Sequence, residues 1–414
     1  MARGQQDGTS TGGQRGLGRQ ALVLGLVSLS SPLALNMYVP AFPRMAADLG
    51  TDPAAIQLSL TSLLAALALG QNIYGPLADR FGRKRPLYLG LGLFILASIG
   101  VAFSPSLEAL VAWRFVQGLG ACAAMAIPRA VVRDLYTGAE AARIMALVML
   151  VISIAPLLAP MLGSALAAAL SWRTIFWFMA ATAALAILLL ATLLPETLPP
   201  ERRSAGGVFR ILGAYGILLR DRHFVGVALM MSLSQAAFFA YLGGSPFVFM
   251  TLYGWEGWTF SLMYGVTAAF WAGSAQLAPM VMNRIGARRA LIRSTVVTAT
   301  VMTGLLVLAL AGLVGPWTIV AAIVLQYLAT GMMIPMATVE ALHRHGAQAG
   351  TASAMMGTAA FAGGGLASAL VSALADGSER PMIAVMAGCC LLAAASGALA
   401  YAGRSGDDDL DQAW

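Results

Sequence analysis

The side chains best suited to reversible electrostatic chemistry lie in GPLADRFGRKRP at 75–86, which combines one acidic and four basic residues with two glycines. Gly75 and Gly82 permit a tight turn. Asp79 can accept hydrogen bonds from backbone amides at a helix start, and Arg83 can reach a second carboxylate. An ordinary basic loop would explain the arginines but neither the acid nor the glycines. The candidate residues for a conformational switch are Gly75, Asp79, Arg80, Gly82, Arg83, Asp134, Pro156, Pro160 and Gly163.

Polar side chains inside apolar runs form a second set of candidates. The amides of Asn36 and Gln57 need hydrogen-bonding partners there. Arg114 lies about 10 Å into a run if that run is helical, and a charge at that depth indicates function; the alternative is a structural tie to Gln117, Gln57 or carbonyls of the first helix. Aromatic residues at 238–241 suit a ligand-binding wall, although such rings also pack against lipid. The candidate binding residues are Asn36, Tyr38, Gln57, Arg114, Gln117, Gln235, Phe238, Phe239 and Tyr241.

The composition identifies the elements that must position these residues. Of 414 residues, 59% are hydrophobic and only 10% are charged, with a mean hydropathy of +0.79. These values exclude a soluble protein and predict an all-α membrane protein. Twelve apolar runs have the length of membrane spans. They fall at 20–40, 54–76, 86–104, 107–131, 141–166, 172–194, 223–250, 259–282, 290–312, 316–339, 350–374 and 381–402.

The basic residues predict the orientation of these spans. Of the 25 Lys and Arg residues, only Arg44, Arg173 and Arg380 fall in loops on one side, and Arg114 falls within a span. Basic residues concentrate in cytoplasmic loops, so we expect both termini in the cytoplasm. The predicted organisation is an N-terminal cytoplasmic tail at 1–20, a six-helix bundle at 21–194, a cytoplasmic linker at 195–222, a second six-helix bundle at 223–402 and an acidic cytoplasmic tail at 403–414.

An internal repeat supports two equivalent halves. The segment DRFGRKR at 79–85 matches NRIGARR at 283–289, 204 residues later. Parallel repeats of this kind are typical of transporters that bind their substrate between the halves. Prolines and glycines in the fifth span, at 156–163, would let the halves pack closely and rock.

Other function classes lack their residues. A phosphate-binding loop needs a lysine after glycine, but the only lysine, Lys84, follows Arg83. Motifs of hydrolases are absent from the sequence, and the arginines lie between apolar runs rather than on one basic face. We therefore expect neither an enzyme nor a nucleic-acid-binding protein, with no cofactor and no metal.

The motif at 75–86 resembles the signature of the major facilitator superfamily between its second and third helices. LVAWRFVQGLGA at 110–121 and APMLGS at 159–164 resemble motifs of that superfamily's fourth and fifth helices. Further segments resemble the bicyclomycin/chloramphenicol-resistance (Bcr/CflA-type) drug:proton antiporters. These segments are NMYVPAFP at 36–43, PAAIQLSLT at 53–61, RAVVRDLY at 129–136, PETLPPERR at 195–203, GGSPFVF at 243–249 and AGTASAMMGT at 349–358.

This resemblance implies a proton-driven exporter of small antibiotics in the bacterial inner membrane, with the major facilitator fold and alternating access. The expected partners are a small-molecule drug, protons and the lipid bilayer, and we expect a monomer. Asp79, Arg83 and Asp134 would hold the outward-open state. The alternatives are an exporter of an endogenous metabolite or siderophore, and a non-transporting membrane sensor on a transporter scaffold.

The sequence departs from that family at the first helix, where Asn36 replaces the usual aspartate. None of the 18 acidic residues falls in the middle of a predicted span. A buried carboxylate is the usual site of competition between proton and substrate. The candidates that remain for proton coupling are Asp79, Asp134 and Glu340. Without an acid to balance Arg114, we expect the site to prefer neutral, zwitterionic or anionic solutes.

Overall fold

The computed structural model describes residues 10–203, 208–343, 345 and 348–401. The acidic tail at 403–414 and residues 1–9 of the N-terminal tail therefore lie outside the described residues. Helix α1 already begins at Ser10, inside the predicted N-terminal tail. The first half contains α1 (Ser10–Asn36), α2 (Phe42–Leu49), α3 (Gln57–Phe81), α4 (Lys84–Ala102), α5 (Leu107–Leu135), α6 (Gly138–Ala169) and α7 (Trp172–Leu193).

The second half follows a connection that includes a short 3-10 turn at Pro200–Arg202. Another 3-10 turn, Val39–Ala41, joins α1 to α2, and a π-helical turn, Phe247–Leu252, extends α9. The remaining helices are α8 (Val208–Arg220), α9 (Arg222–Pro246), α10 (Gly257–Ile285), α11 (Ala287–Leu310), α12 (Pro316–Leu342), α13 (Ala349–Ala373) and α14 (Arg380–Tyr401).

Among the described residues, ten helical segments are long and apolar enough to cross a bilayer. Helices α3 and α10 are 25 and 29 residues long but more polar. With them the helices follow the twelve predicted spans. Two of their polar side chains, Asn72 of α3 and Ser261 of α10, have hydrogen-bond partners in the other half, so these groups do not face lipid.

The helices form two bundles with the same internal arrangement. In the first, α5 packs against α3 and α4, and α1 packs against α6 and α7. In the second, α9 packs against α13 and α14, and α12 packs against α10 and α11. The bundles join through two helix pairs, α3 with α13 and α6 with α10. An offset of 204 residues moves α3 onto α10 and α6 onto α13, so the two joints are equivalent by the internal repeat.

The repeat extends to backbone conformation. Gly82 ends α3 with a φ of 88°, and Gly286, its counterpart 204 residues later, ends α10 with a φ of 77°. Both values lie in the left-handed region, which glycine adopts without a side-chain penalty. The chain therefore changes direction through the same kind of glycine turn between α3 and α4 and between α10 and α11.

The segment between the halves contains a helix. Residues predicted as a linker include α8, whose Leu218 is buried in an apolar cluster at the adjoining end of the second bundle. Asp221 then caps α9 by accepting a hydrogen bond from the His223 amide at 2.9 Å. We call the side of the molecule that holds Ser10, this connection and Tyr401 the linker side, and the opposite side the far side.

Candidate functional site

Asn36 joins the two bundles on the far side. Its side-chain oxygen accepts a hydrogen bond from the Tyr264 hydroxyl of α10 at 2.9 Å, and its amide nitrogen donates to the Pro32 carbonyl at 2.8 Å. Asn36 is 4% exposed and Tyr264 is 2% exposed, so this bond is shielded from solvent. The amide expected to need a partner thus finds it in the other half of the chain.

An aromatic array extends from Tyr264 into the second bundle. Tyr241 stacks on Tyr264 with ring centroids 6.1 Å apart and ring planes 2° apart. Tyr327 lies 5.9 Å from Tyr241 and 5.6 Å from Phe238, and Trp271 lies 6.0 Å from Phe238. The array therefore combines side chains of α9, α10 and α12. We call these five residues the aromatic array.

Two donors in the aromatic array have no partner. The Tyr327 hydroxyl and the Trp271 indole nitrogen are buried and make no hydrogen bond among the described residues. A buried donor without a partner costs free energy, commonly about 1–3 kcal/mol. Both groups could donate to acceptors on a bound solute.

Arg114 is enclosed within the first bundle. It is fully buried, donates to the Ala34 carbonyl at 2.7 Å and bonds to the Gln117 side chain. Its guanidinium carbon lies 3.9 Å from the ring centroid of Tyr38, a cation–π arrangement. These contacts match the alternative interpretation of Arg114 as a tie to Gln117 and a first-helix carbonyl.

The surroundings of Arg114 are also closed. Gln117 donates to Ser98 at 2.7 Å, and the Tyr38 hydroxyl lies 3.3 Å from that of Ser59. Both Gln117 and Tyr38 are fully buried. In this conformation Arg114 therefore contacts both Gln117 and Tyr38, and the partners of all three lie within the first bundle.

The other predicted binding residues occupy different parts of the joint. Gln57 is 1% exposed, and its side-chain oxygen has no hydrogen-bond partner among the described residues. Phe239 is buried against Phe361 of α13, with centroids 5.8 Å apart. Gln235 and Phe238 are half-buried. Sequence reasoning thus grouped side chains that the fold divides between the first bundle, the aromatic array and the α13 contact.

Hydrogen bonds between the bundles extend inward from the far side. Ser372 donates to the Ala54 carbonyl at 2.7 Å, near the far-side end of α3. In the described residues, the α3–α13 hydrogen bond closest to the linker side joins Asn72 to Thr358 at 2.9 Å. Asn72 precedes the end of α3 by nine residues.

The predicted proline and glycine positions of α6 lie at or near its joint with α10. The Pro160 carbonyl accepts a hydrogen bond from Ser261 at 3.2 Å. A side chain at Gly163 would overlap the Met37 carbonyl, which shows that α6 closely approaches the end of α1. Pro156 lies in the same helix and is half-buried. Pro160 therefore lies at the joint with α10, whereas Gly163 brings α6 close to the end of α1 within the first bundle.

The charge cluster on the linker side contains the expected ion pairs. Arg83 lies between two acids, with its Nη1 2.5 Å from Asp79 and its Nε 2.7 Å from Asp134. The Arg83 side chain is 9% exposed, compared with 19% for Asp134 and 54% for Asp79. Arg80, by contrast, is exposed and lies over the Phe81 ring. Arg83 is therefore the centre of the cluster.

Glu196 takes the amide-binding position that the sequence suggested for Asp79. Its carboxylate accepts hydrogen bonds from the backbone amides of Arg83 at 2.8 Å and Lys84 at 3.1 Å, at the start of α4. Burial alone would raise the pKa of Glu196. Hydrogen bonds from four backbone amides outweigh that effect and hold the pKa below its ordinary value.

The two glycines of this motif have different roles. Gly82 has a positive φ, and a Cβ there would lie 2.6 Å from a Glu196 oxygen. Gly75 lies inside α3, and a Cβ there would meet no atom within 4 Å. The prediction that Gly75 forms part of the turn is therefore wrong, because α3 continues through Pro76 to Phe81.

Glu340 belongs to a buried cluster at the linker-side end of the second bundle. Its Oε1 lies 3.2 Å from Nε2 of His223 and accepts a hydrogen bond from Tyr401 at 3.3 Å. Glu340 is 7% exposed and His223 is 4% exposed. Both lie in the same bundle, far from the aromatic array along their helices.

Comparison with known proteins identifies the family. The family model of the Major Facilitator Superfamily matches residues 24–368, which is most of the chain. The chain belongs to the Major Facilitator Superfamily. As a solved example of this superfamily's fold, the xylose transporter XylE from E. coli, in a partially occluded inward open conformation, aligns with a TM-score of 0.70 at 15% identity. That alignment covers 92% of this chain and 96% of XylE.

Curated relatives of this major facilitator protein include antibiotic-resistance proteins, in agreement with the family that its motifs resemble. It is 36% identical to the uncharacterized MFS-type transporter YdgK of Bacillus subtilis, over 92% of this chain and 94% of the relative. It is 27% identical to a bicyclomycin resistance protein homolog of Haemophilus influenzae, over 90% and 93%. It is 30% identical to a chloramphenicol resistance protein of Pseudomonas aeruginosa, over 65% and 64%.

Membership in this superfamily makes the chain a multi-pass membrane transporter and not an enzyme. Among the described residues, no group of three His, Cys, Asp or Glu side chains is arranged to hold a metal ion. The polar aromatic residues missed from the sequence were Tyr264, Trp271 and Tyr327. Each lies in an apolar run, where its residue type alone does not separate a site residue from a packing residue.

Proposed function

We propose that this major facilitator protein is a secondary active exporter of small antibiotic-like solutes of the phenicol and bicyclomycin class. The observation that carries the proposal is the uncharged joint between the bundles, where Asn36 and Tyr264 meet beside the aromatic array. Two relatives are named for resistance to bicyclomycin and chloramphenicol, which are solutes of this kind.

The aromatic array is our proposed wall of the solute site. Flat rings of Phe238 and Trp271 offer apolar area for an aromatic drug, and the free donors of Tyr327 and Trp271 offer hydrogen bonds to its oxygen atoms. Asn36, Gln57 and Gln235 would supply further polar contacts. No formal charge is needed in this wall, which favours uncharged drugs.

Arg114 has an indirect role in this proposal. Its contacts hold Tyr38 and the carbonyl end of α1, next to Asn36. Its charge would also raise the electrostatic potential near the site and disfavour cations. Arg114, Tyr38 and Gln117 therefore position and tune the site rather than bind the drug directly.

Transport would proceed by alternating access about the two equivalent joints. Opening the far side requires the bonds Asn36–Tyr264 and Ser261–Pro160 to separate, whereas opening the linker side separates the α3–α13 contacts near Asn72. We propose that the Asp79–Arg83–Asp134 cluster stabilises the outward-open state by fixing the linker-side ends of the first bundle.

Proton antiport is the proposed driving force. The available carboxylates, Asp79, Asp134 and Glu340, each lie beside a cationic partner or a histidine within one bundle. Protonation would break these ion pairs, so protons would act through helix-end conformation rather than by competing with the drug at one site. Coupling is indirect in this scheme because Asn36, at the joint between the bundles, has no titratable group.

The proposed orientation follows the distribution of basic residues. The linker side, which holds most of the arginines, would face the cytoplasm of a bacterial inner membrane. We also propose that the bundles comprise residues 21–194 and 223–402, joined by a cytoplasmic linker at 195–222. The protein would act as a monomer.

The function is tested by accumulation of labelled chloramphenicol in an efflux-deficient bacterium expressing the chain, with and without a protonophore. We expect low accumulation that rises on uncoupling. An Asn36→Asp variant is measured in parallel because it restores a titratable group at the joint. Export by that variant alone would show that the first helix must titrate and would overturn our indirect coupling scheme. Accumulation equal to that of cells without the chain would contradict phenicol export.

A further inference from the structure

We propose that α8, the helix between the bundles, holds the linker side closed through a hydrogen bond made by Tyr215. The Tyr215 hydroxyl donates to the side-chain oxygen of Asn72 in α3 of the first bundle. The inference rests on the proposed alternating access and adds to it a residue that controls opening of the linker side. Tyr215 lies in none of the sequence motifs described above.

Helix α8 is attached to the second bundle. It packs against α9 and α13, and Leu218 is fully buried in the apolar cluster at the linker-side end of that bundle. Tyr215 is half-buried and lies three residues before Leu218, on the same face of α8. The face that anchors α8 to the second bundle therefore also reaches α3. The Tyr215–Asn72 bond must break if α3 separates from the second bundle while α8 stays anchored.

Tyr215 extends a chain of hydrogen bonds across the α3–α13 joint. Asn72 accepts from Tyr215 and donates to Thr358 of α13 at 2.9 Å. Thr358 in turn donates to the Ala68 carbonyl of α3 at 3.2 Å. Consecutive hydrogen bonds of this kind polarise and strengthen one another. We call Tyr215, Asn72 and Thr358, which join three helices at the end of the joint nearest the linker side, the linker-side triad.

The linker-side triad resembles the closure on the far side. There Tyr264 of α10 donates to Asn36 of α1 at 2.9 Å, so each side joins a tyrosine hydroxyl held by the second bundle to an asparagine of the first. None of these groups carries a formal charge, and each bond can break without leaving an ion unpaired. Because alternating access opens one side at a time, the relative strengths of the two bonds would bias which side opens. Loss of the Tyr215 hydroxyl should shift the population toward the conformation that is open on the linker side.

Hydrogen–deuterium exchange tests the inference without any solute. The purified full-length protein is measured in phosphatidylcholine nanodiscs. We expect Tyr215→Phe to raise the exchange rates of the α8 backbone amides by about threefold to tenfold, the factor that corresponds to one lost hydrogen bond. Exchange should also rise at the linker-side ends of α3 and α13, and it should not change around Tyr264. Tyr264→Phe should have the opposite pattern, with faster exchange on the far side only.

The matched control is Tyr88→Phe. Tyr88 is half-buried near the linker-side end of α4 and makes no hydrogen bond among the described residues, so this variant removes a hydroxyl without breaking a bond. Its exchange should equal that of the unaltered protein on both sides. If α8 exchange rose as much in Tyr88→Phe as in Tyr215→Phe, the cause would be a general loss of stability, and the inference would be overturned.

A double variant tests Asn72 as the partner of Tyr215. In an Asn72→Ala background the acceptor is already missing, so Tyr215→Phe should add less than about twofold to α8 exchange. A further increase as large as in the unaltered background would show that the Tyr215 hydroxyl acts elsewhere. Equal α8 exchange in Tyr215→Phe and the unaltered protein would show that Leu218 and its neighbours hold α8 unaided. Either result overturns the inference.

Export is measured separately, as flux of labelled chloramphenicol in proteoliposomes. A larger population open on the linker side should lower the apparent Kd for drug supplied on that side by a similar factor in Tyr215→Phe. If the exchange rates change as expected but no chloramphenicol is transported, the proposed substrate is wrong and the inference about α8 stands. Export with unchanged α8 exchange in Tyr215→Phe would leave the proposed function intact and overturn the role of Tyr215.

Discussion

The Tyr264 hydroxyl donates a hydrogen bond to the side-chain oxygen of Asn36 across a distance of 2.9 Å, joining residues 228 positions apart in the sequence. The bond connects α10 of the second bundle to the end of α1 of the first. Neither group carries a charge, so the bond can break without exposing an ion to the membrane interior. Such a contact suits a far-side closure that must open repeatedly.

Removing this bond should weaken the far-side closure. Tyr264→Phe leaves the Asn36 oxygen buried without a donor, and we expect a loss of about 1–3 kcal/mol in the free energy of the closed conformation. A cysteine introduced by Ser245→Cys, buried near the far-side end of α9, should then react faster with an impermeant thiol reagent. Tyr253→Phe is the control, because Tyr253 makes no such bond among the described residues. If the introduced cysteine reacts at the same rate with and without Tyr264→Phe, the Asn36–Tyr264 bond does not stabilise the far-side closure.

The two acids beside Arg83 should differ in importance. Asp134 is the less exposed acid, so Asp134→Asn would leave the nearly buried Arg83 poorly compensated and should lower the free energy of unfolding by about 1.5–3 kcal/mol. Asp79→Asn should lower it by less than about 1 kcal/mol, because Asp79 is largely exposed. Thermal unfolding of the purified variants measures this order. The reverse order would show that Asp79 is the principal partner.

The sequence indicated some interactions that depend on charge and spacing. Arg83 was expected to reach a second carboxylate, which in the structure is that of Asp134, and the tie of Arg114 to Gln117 was the alternative to a binding role for Arg114. The helices were also predictable, because apolar length determines a membrane span. The Arg114–Gln117 contact lies within one helix turn and required no knowledge of the tertiary structure, whereas the pairing of Arg83 with Asp134, 51 residues away, did require it.

Partners distant in sequence could not be predicted in this way. The sequence indicated that the Asn36 amide needs a hydrogen-bond partner. It did not identify that partner, because many hydroxyl and amide groups elsewhere in the chain can form such a bond. Glu196 acquires its role because the connection after α7 folds back onto the start of α4.

The two motif glycines should respond oppositely to substitution. Gly82→Ala places a side chain at a positive φ and close to Glu196, and we expect a cost of about 1 kcal/mol or more from the backbone alone. Gly75→Ala adds a methyl group in open space within a helix and should be neutral or slightly stabilising. Expression level and melting temperature of the two variants test this. A damaging Gly75→Ala change would indicate that another conformation brings a neighbour against Gly75.

Glu196 should give the protein a specific acid sensitivity. Its pKa in the folded protein lies below the ordinary value of 4.5, because backbone amide donors overcome the opposing effect of burial. A lowered acidic pKa contributes stability that is fully present above the unfolded value and is lost as pH falls through the folded value. Melting temperatures measured from neutral pH downward should therefore show this contribution disappearing only below about pH 4.5.

Glu196→Gln should remove that part of the pH dependence, since an amide does not titrate and one of its two polar atoms cannot accept from the amides of Arg83 and Lys84. The variant should be less stable than the unaltered protein at neutral pH, and the difference should shrink as the pH falls. Glu201→Gln provides the control, because Glu201 is exposed in the same connection and its variant should follow the unaltered curve. If the Glu196→Gln and unaltered curves stayed parallel throughout, the carboxylate would not be stabilising the start of α4.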